Sequence, residues 1–373
     1  MTAEYHRLGD YIREVNVRNR ELKVTRLVGL TIDKAFIPSV ANVIGTDLSN
    51  FKVICREQFA CSLMQVSRDG RMPVAMFEED EAIMSPAYPM FEVADKSKLL
   101  PQYLMMWFSR KEFDREASYY AVGGVRGSLE WGDFCNMQFP VPSIERQREI
   151  VSEYETLTRR IRLNNQMIEK LEATAQALYR HTFVDNIDKQ NLPQGWRIGT
   201  LSGLADITMG QSPNGETYNM EGEDVIFYQG RADFGKRFLT PRVYTTNPTR
   251  FAKGGDILLS VRAPVGDINI APHDCCIGRG LAALKNKDNC QCYLYYQLQN
   301  LENIFTVSDD DGTVFGSINK DDLYNIEVVI PSVHEMTLFE KEASVIDKGI
   351  KLQNKENNVL TELQSLLLAK MGQ

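Results

Sequence analysis

The densest set of side chains able to do chemistry lies in YQGRADFGKRFLTPRVYTTNPTRFAKGG, residues 228–255. Arg231, Lys236, Arg237, Arg242, Arg250 and Lys253 fall within it, interleaved with Tyr228, Tyr244, Thr245, Thr246 and Asn247, and Asp233 is its only acid. A guanidinium fork matches guanine O6 and N7, while lysines and hydroxyls hold phosphate oxygens, so the stretch is a candidate nucleic-acid contact. A solvated basic loop is the plainer alternative. Gln211 in MGQSP and Arg262 in SVRAPVGD are single polar residues at expected loop tips and join the candidates. In the first half of the chain Arg18, Arg20 and Lys23 cluster with Arg13 and Arg26, diluted by Glu14 and Glu21. Arg68 and Arg71 in SRDGR and Arg126 in GGVRGS complete the set.

Metal and transfer chemistry find less support. His273, Cys275, Cys276, Cys290 and Cys292 are close in sequence, but a zinc site usually starts from C-x2-C, whose spacing lets both thiolates reach one ion. Here the pairs are adjacent or one apart, and Cys275–Cys276 opens the apolar run CCIGRGLAAL, so buried, reduced strand cysteines are expected and no metal. The cysteines, 7 in all and irregularly spaced, also argue against a disulfide framework. Asp309, Asp310 and Asp311 could suggest a Mg²⁺-dependent nuclease, yet a charge run beside Gly312 reads as a solvated turn. A DNA methyltransferase acting on adenine would need a glycine-rich cofactor loop and an Asn/Asp-Pro-Pro-aromatic motif; GTVFG and NPTR supply neither.

Composition is that of an ordinary globular protein, 43% apolar and 25% charged, and 373 residues suggest more than one core. No apolar run approaches the length of a membrane span, and MTAEYHRLGDYIREV lacks a signal core, so the expectation is a cytoplasmic protein without membrane contact. Net charge is −8, and no part of the chain is basic overall: residues 1–142 carry 17 basic and 19 acidic side chains, and 191–331 carry 12 and 17. Nucleic-acid contact would have to come from local patches, with a partner supplying further positive charge.

The elements that must position these residues are organised by one internal repeat at an offset of 189 residues. GSLEWGDFCNMQFPVPSI from Gly127 matches GSINKDDLYNIEVVIPSV from Gly316, and the register continues without a gap into the stretches that follow. There Ile150, Tyr154, Leu157, Ile161, Asn164, Ile168, Leu171, Ala175 and Leu178 recur in alternating steps of four and three. Phe339, Ala343, Ile346, Ile350, Gln353, Asn357, Leu360, Gln364 and Leu367 do the same. This is the seam spacing of a coiled coil, polar near its middle, where a polar residue fixes register. Pro142–Ser143 and Pro331–Ser332 precede the two stretches, the proline ending a strand and the serine capping a helix. Two long helices paired antiparallel are expected; the alternative is two amphipathic helices packed separately on their own domains.

Around the helices, short strand-like runs such as GDILLSVRAPVGDINIA alternate with turn residues and single helical stretches such as YLYYQLQNL. The fold expected is α+β: two mixed α/β domains, 1–142 and 191–331, separated by two long helical segments, 143–190 and 332–373, in a pseudo-two-fold duplication. Framework, closing motif and helix are similar between the halves and the intervening segments differ, as for two recognition surfaces on one scaffold.

Through LPQGWRIGTLSGLADITMGQSPNGETYN, GDILLSVRAPVGDINIAPHDCCIGRGLAAL and the proline-led helices with LNNQMIEKLEATAQALYRHTFVD, the sequence resembles the specificity subunit of type I restriction–modification systems. The resemblance implies two target-recognition domains, each reading one half of a split double-stranded DNA site, with the paired helices as a ruler between them. It implies two methylating subunits docked on the helices and restriction–translocase subunits on that core. S-adenosylmethionine, ATP and Mg²⁺ would be bound by those partners, leaving this chain without cofactor or catalysis. A coiled-coil scaffold or adaptor would explain the helices but not two elaborated, divergent domains.

Overall fold

Both heptad stretches fold as long helices, in a computed structural model that describes residues 4–39, 45–64, 66–122, 127–185, 187–301, 305 and 317–372. The first, α5, spans Ile144–Phe183, and the last, α9, spans Val333–Lys370, about 60 and 57 Å at 1.5 Å per residue. The serines before them act as caps: Ser143 Oγ accepts from the Arg146 amide and Ser332 Oγ from the Glu335 amide, each at 3.3 Å. Either cap is worth about 1 kcal/mol to its helix. Seam positions Asn164, Ile168, Ala175 and Ile350 are buried and the rest of the spacing is half-buried or buried, flanked by exposed residues.

The chain divides into two units, Met1–Asn164 with Lys355–Gln373, and Asn165–Asn354. Each unit combines one globular part with a portion of each long helix.

In the first unit the main sheet has the order β2-β9-β6-β7, built from Ile12–Glu14 (β2), Met90–Val93 (β9), Phe59–Cys61 (β6) and Val74–Met76 (β7), all antiparallel. Beside it β1 (Tyr5–Arg7) pairs with β10 (Gln138–Pro140), β3 (Val28–Leu30) with β4 (Phe36–Pro38), and β5 (Lys52–Cys55) with β8 (Glu81–Met84). Short α1 (Val66–Asp69), α2 (Pro101–Phe108), α3 (Lys111–Tyr120) and α4 (Trp131–Asn136) complete the unit. Its core is aromatic: the Phe59 and Phe91 rings stack at 5.0 Å, with Phe108 and Phe134 around them. Full burial of each such side chain contributes roughly 1.5–3 kcal/mol. Here the helices meet in opposite directions. Gln364 Nε2 donates to Thr158 Oγ1 at 2.7 Å, Arg160 pairs with Glu356 at 2.9 Å, and Asn164 Nδ2 donates to Asn357 Oδ1 at 3.0 Å.

The second unit repeats the plan. Its sheet β12-β20-β17-β18 joins Ala205–Met209 (β12), Leu281–Asn286 (β20), Ile257–Ser260 (β17) and Ile268–Ile270 (β18), again antiparallel. The pair β11 (Arg197–Thr200) and β21 (Glu327–Ile330) corresponds to β1 and β10. A second sheet, β13-β15-β14-β19-β16, joins Tyr218–Asn219 (β13), Val243–Thr245 (β15), Val225–Tyr228 (β14), Cys275–Ile277 (β19) and Phe251–Ala252 (β16), with β14 and β19 parallel. The helices are α6 (Leu201–Leu204), α7 (Gln291–Asn300) and α8 (Lys320–Tyr324). Duplicated positions even keep one hydrogen bond, the Leu129 amide to Leu63 O and the Ile318 amide to Val261 O, each at 2.9 Å. The core gathers Tyr179 and Phe183 of α5, Tyr293 and Tyr296 of α7, and Phe339 of α9, with ring centroids 5.0–6.5 Å apart. The helices run antiparallel here too, Tyr179 against Phe339 and Leu171 against Gly349. The fold is mixed α/β. Among the described residues no helix is long and apolar enough to cross a membrane.

Candidate nucleic-acid interface

In the second unit, strand ends and glycines bring separate loops to one edge. The chain leaves β12 at Gly210, whose amide donates to Leu281 O at 2.9 Å; a Cβ there would stand 2.2 Å from Gly278 O. Only glycine lets the MGQSP loop lie on the turn between β19 and β20. That turn is Gly278-Arg279-Gly280, and its two glycines press on the Gln229 carbonyl at the end of β14, where an added Cβ would meet it at 3.0 and 2.9 Å. The Val261 amide donates to Gly280 O at 2.9 Å and brings in the loop after β17; the Ile277 amide donates to Arg250 O at 2.9 Å and brings in the segment before β16. The Gln211 amide donates to Ile277 O at 3.0 Å, and the Arg279 amide to Ser212 Oγ at 3.2 Å.

Gln211, Arg250, Arg262 and Arg279 therefore collect, exposed, at the ends of strands whose register is set by a buried sheet. Among the described residues the three guanidinium groups have no carboxylate partner. Fixed backbones carrying free arginine forks are what recognition of phosphates and base edges requires.

The structure sorts the remaining candidates of 228–255 by acids that arrive from elsewhere in the chain. Arg231 pairs with Asp267, Lys253 with Asp274 at 2.7 Å, and Lys236 with Glu169 at 3.4 Å, all exposed. Arg242 grips the buried Asp233 at 2.6 Å, keeping half its own surface. Arg237 departs from the expected position: it is 1% exposed and its guanidinium is enclosed by Asp347, Glu172 and Tyr296. It cannot reach DNA from there. The sequence candidates do not include Arg279, although an arginine between two glycines inside an apolar run is a turn signal.

In the first unit most candidate cations have local partners. Arg68 pairs with its neighbour Asp69 at 2.8 Å, Lys23 with Glu21 at 2.5 Å, Arg71 with Asp33 at 3.0 Å, and Arg13 with Glu92 at 2.5 Å; Arg26 is matched to Glu79. Arg18 donates to Asn50 O at 2.6 Å and Arg20 is exposed. The corresponding strand ends gather here as well: the Val15 amide donates to Met90 O and the Cys61 amide to Pro89 O. Ser67 Oγ donates to Gly127 O at 3.4 Å, placing Arg68 beside the start of the duplicated motif. Arg126 and the run Asp309–Asp311 lie outside the described residues.

Cys275 and Cys276 are buried in β19, and Cys290 and Cys292 are buried at the start of α7. Burial pushes the Cys275 thiol up to about 12 and raises Cys290 and Cys292 as well, so all three stay protonated at neutral pH. Among the described residues no three His, Cys, Asp or Glu side chains converge as a metal site.

Residues 193–362 match the family model of the type I restriction modification DNA specificity domain. The putative type I restriction enzyme MjaX specificity subunit of Methanocaldococcus jannaschii is 28% identical over 352 residues, which span 90% of this chain and 82% of that protein. The type I restriction enzyme HindI specificity subunit of Haemophilus influenzae is 19% identical over 382 residues, covering 81% and 83%. The crystal structure of the type I restriction–modification system S subunit from M. genitalium shares the fold, with a TM-score of 0.59 at 14% identity over 100% of this chain and 99% of that one.

Proposed function

We propose that this chain, whose residues 193–362 belong to the type I restriction modification DNA specificity domain family and which resembles type I specificity subunits along most of its length, is the DNA-recognition subunit of a type I restriction–modification complex. It performs no catalysis. The observation that carries the proposal is the edge of the second unit, where Gln211, Arg250, Arg262 and Arg279 stand exposed on strand ends locked by glycines and a buried sheet. The first unit repeats the strand order and closing motif, and reads the other half of an asymmetric double-stranded site. A scaffold would need the helices but not this edge.

The paired helices act as an antiparallel coiled coil that sets the unread spacer between half-sites, with Asn164 and Asn357 fixing its register. They also dock the methylating subunits. Support comes from a second row on α9: Leu338, Val345, Leu352, Val359 and Leu366 recur every seven residues and are each at least half exposed. Such a row invites a helical partner. S-adenosylmethionine is held by those methylating subunits, ATP and Mg²⁺ by restriction subunits, and the complex works in the cytoplasm.

The test is to combine the purified chain with its methylating subunit and footprint it on genomic DNA. A two-part footprint with an unprotected centre is expected. Protection without sequence preference would refute the proposal.

A further inference from the structure

Arg237 sits among the arginines of the basic stretch but turns the other way. Its Nη2 donates to Asp347 Oδ1 at 2.5 Å, and Nη1 lies 3.5 Å from Glu172 Oε1. Both terminal nitrogens approach the Tyr296 hydroxyl, at 3.4 and 3.5 Å, and the guanidinium carbon lies 4.2 Å from the centre of the Tyr295 ring. Glu172 belongs to α5, Asp347 to α9, and both tyrosines to α7. One side chain thus ties the globular part of the second unit to both long helices. Its own backbone is tied to the main sheet, since the Ile270 amide at the end of β18 donates to Arg237 O at 2.9 Å.

Other polar contacts join the globular part of this unit to one long helix each: Tyr179 to Gln297 and Lys236 to Glu169 on α5, Trp196 to Glu335 and the Cys292 and Tyr293 amides to Glu340 on α9, with apolar contact through Tyr179, Phe183 and Phe339. Apolar contact is strong but non-directional. A charge-assisted fork is directional, and arginine can address acids on two helices at once where lysine offers a single point charge. Among the described residues Arg237 Nε has no hydrogen-bond partner, so this buried ionic cluster is not the most stabilising way to fill the space. Its particular contribution is orientation.

We infer that Arg237 is a positioning residue that locks the recognition part of the second unit in one orientation on the two long helices and so fixes the spacing at which its half-site is read. The inference rests on the DNA-recognition proposal above. In the full complex with methylating subunits, Arg237→Met and Asp347→Asn are compared with wild type by selection from duplexes holding both half-sites with randomised spacer lengths. The half-site bases and the salt dependence of binding should stay unchanged, while the preference for one spacer length over its neighbours is lost. If Arg237→Met does not fold, Asp347→Asn, which keeps the acceptor and removes the charge, carries the test.

A variant that keeps the wild-type spacer preference overturns the inference. So does one whose salt slope falls by about one, the mark of a lost phosphate contact. A wild-type complex with no two-part preference overturns the parent proposal, and this one with it.

Discussion

Removing one matched heptad from each long helix should shorten the spacer between the half-sites. The matched spans are 157–163 and 358–364, because Thr158 meets Gln364 and Asn164 meets Asn357. After the deletion Asn164 follows Tyr154 by three positions and Leu367 follows Asn357 by three, so both seams keep their spacing. The cut removes Arg160 from its exposed pair with Glu356, a contact of little weight for stability. Seven residues amount to about 10.5 Å of helix, equivalent to about three base pairs at 3.4 Å each. A heptad is two full turns of the seam, so the helix faces return to register. Three base pairs of duplex rotate by about 100° at 10.5 per turn, so the second half-site must also be retwisted. Twisting the duplex costs deformation energy that depends on the sequence between the half-sites. The expected result is a preferred spacer about three base pairs shorter, bound more weakly than the wild-type site. The assay is selection from a spacer library by the complex with methylating subunits, with thermal melts as a control for folding. An unchanged preferred spacer in a folded, DNA-binding variant would refute the ruler.

Arg262→Ala combined with Arg279→Ala should lower the slope of log affinity against log salt by about 0.9 per phosphate lost, so that the wild-type advantage shrinks about twelvefold over a fourfold rise in salt. Anisotropy titrations of the complex measure this, and parallel slopes would remove both residues from the interface. Leu352→Asp with Val359→Asp should abolish co-purification of the methylating subunit with little change in melting temperature, because both side chains are at least half exposed and surface substitutions usually shift stability by less than about 0.5 kcal/mol. Undiminished capture would place docking on another face.

The elements most legible in the sequence are those set by local rules. A seam repeating every three or four residues and a serine after proline delimit α5 and α9 within a few residues, since both signals act within a turn of helix. The duplication likewise foreshadowed the matching sheet orders. The sorting of the cations was not legible, because their partners are distant in sequence: Asp267 lies 36 residues from Arg231, Asp274 lies 21 from Lys253, and Glu169 lies 67 from Lys236. Arg237 looks like its exposed neighbours until the helices fold against it. Arg279 escapes a sequence reading for the opposite reason, since its glycine-flanked turn sits inside a run that reads as buried strand. Strands of two to six residues, paired through contacts far apart in sequence, leave little periodicity to detect.

The division of the chain has a consequence for inheritance. The first unit is assembled from Met1–Asn164 and Lys355–Gln373, two pieces separated by the whole of the second. A genetic crossover inside α5 would bring a foreign stretch before residue 164 against the resident residues after 355, so its seam, and Asn164 opposite Asn357, must still fit. Under the proposed function, a new recognition half is accepted only where its incoming seam fits the resident helix, whatever its strand-end loops carry.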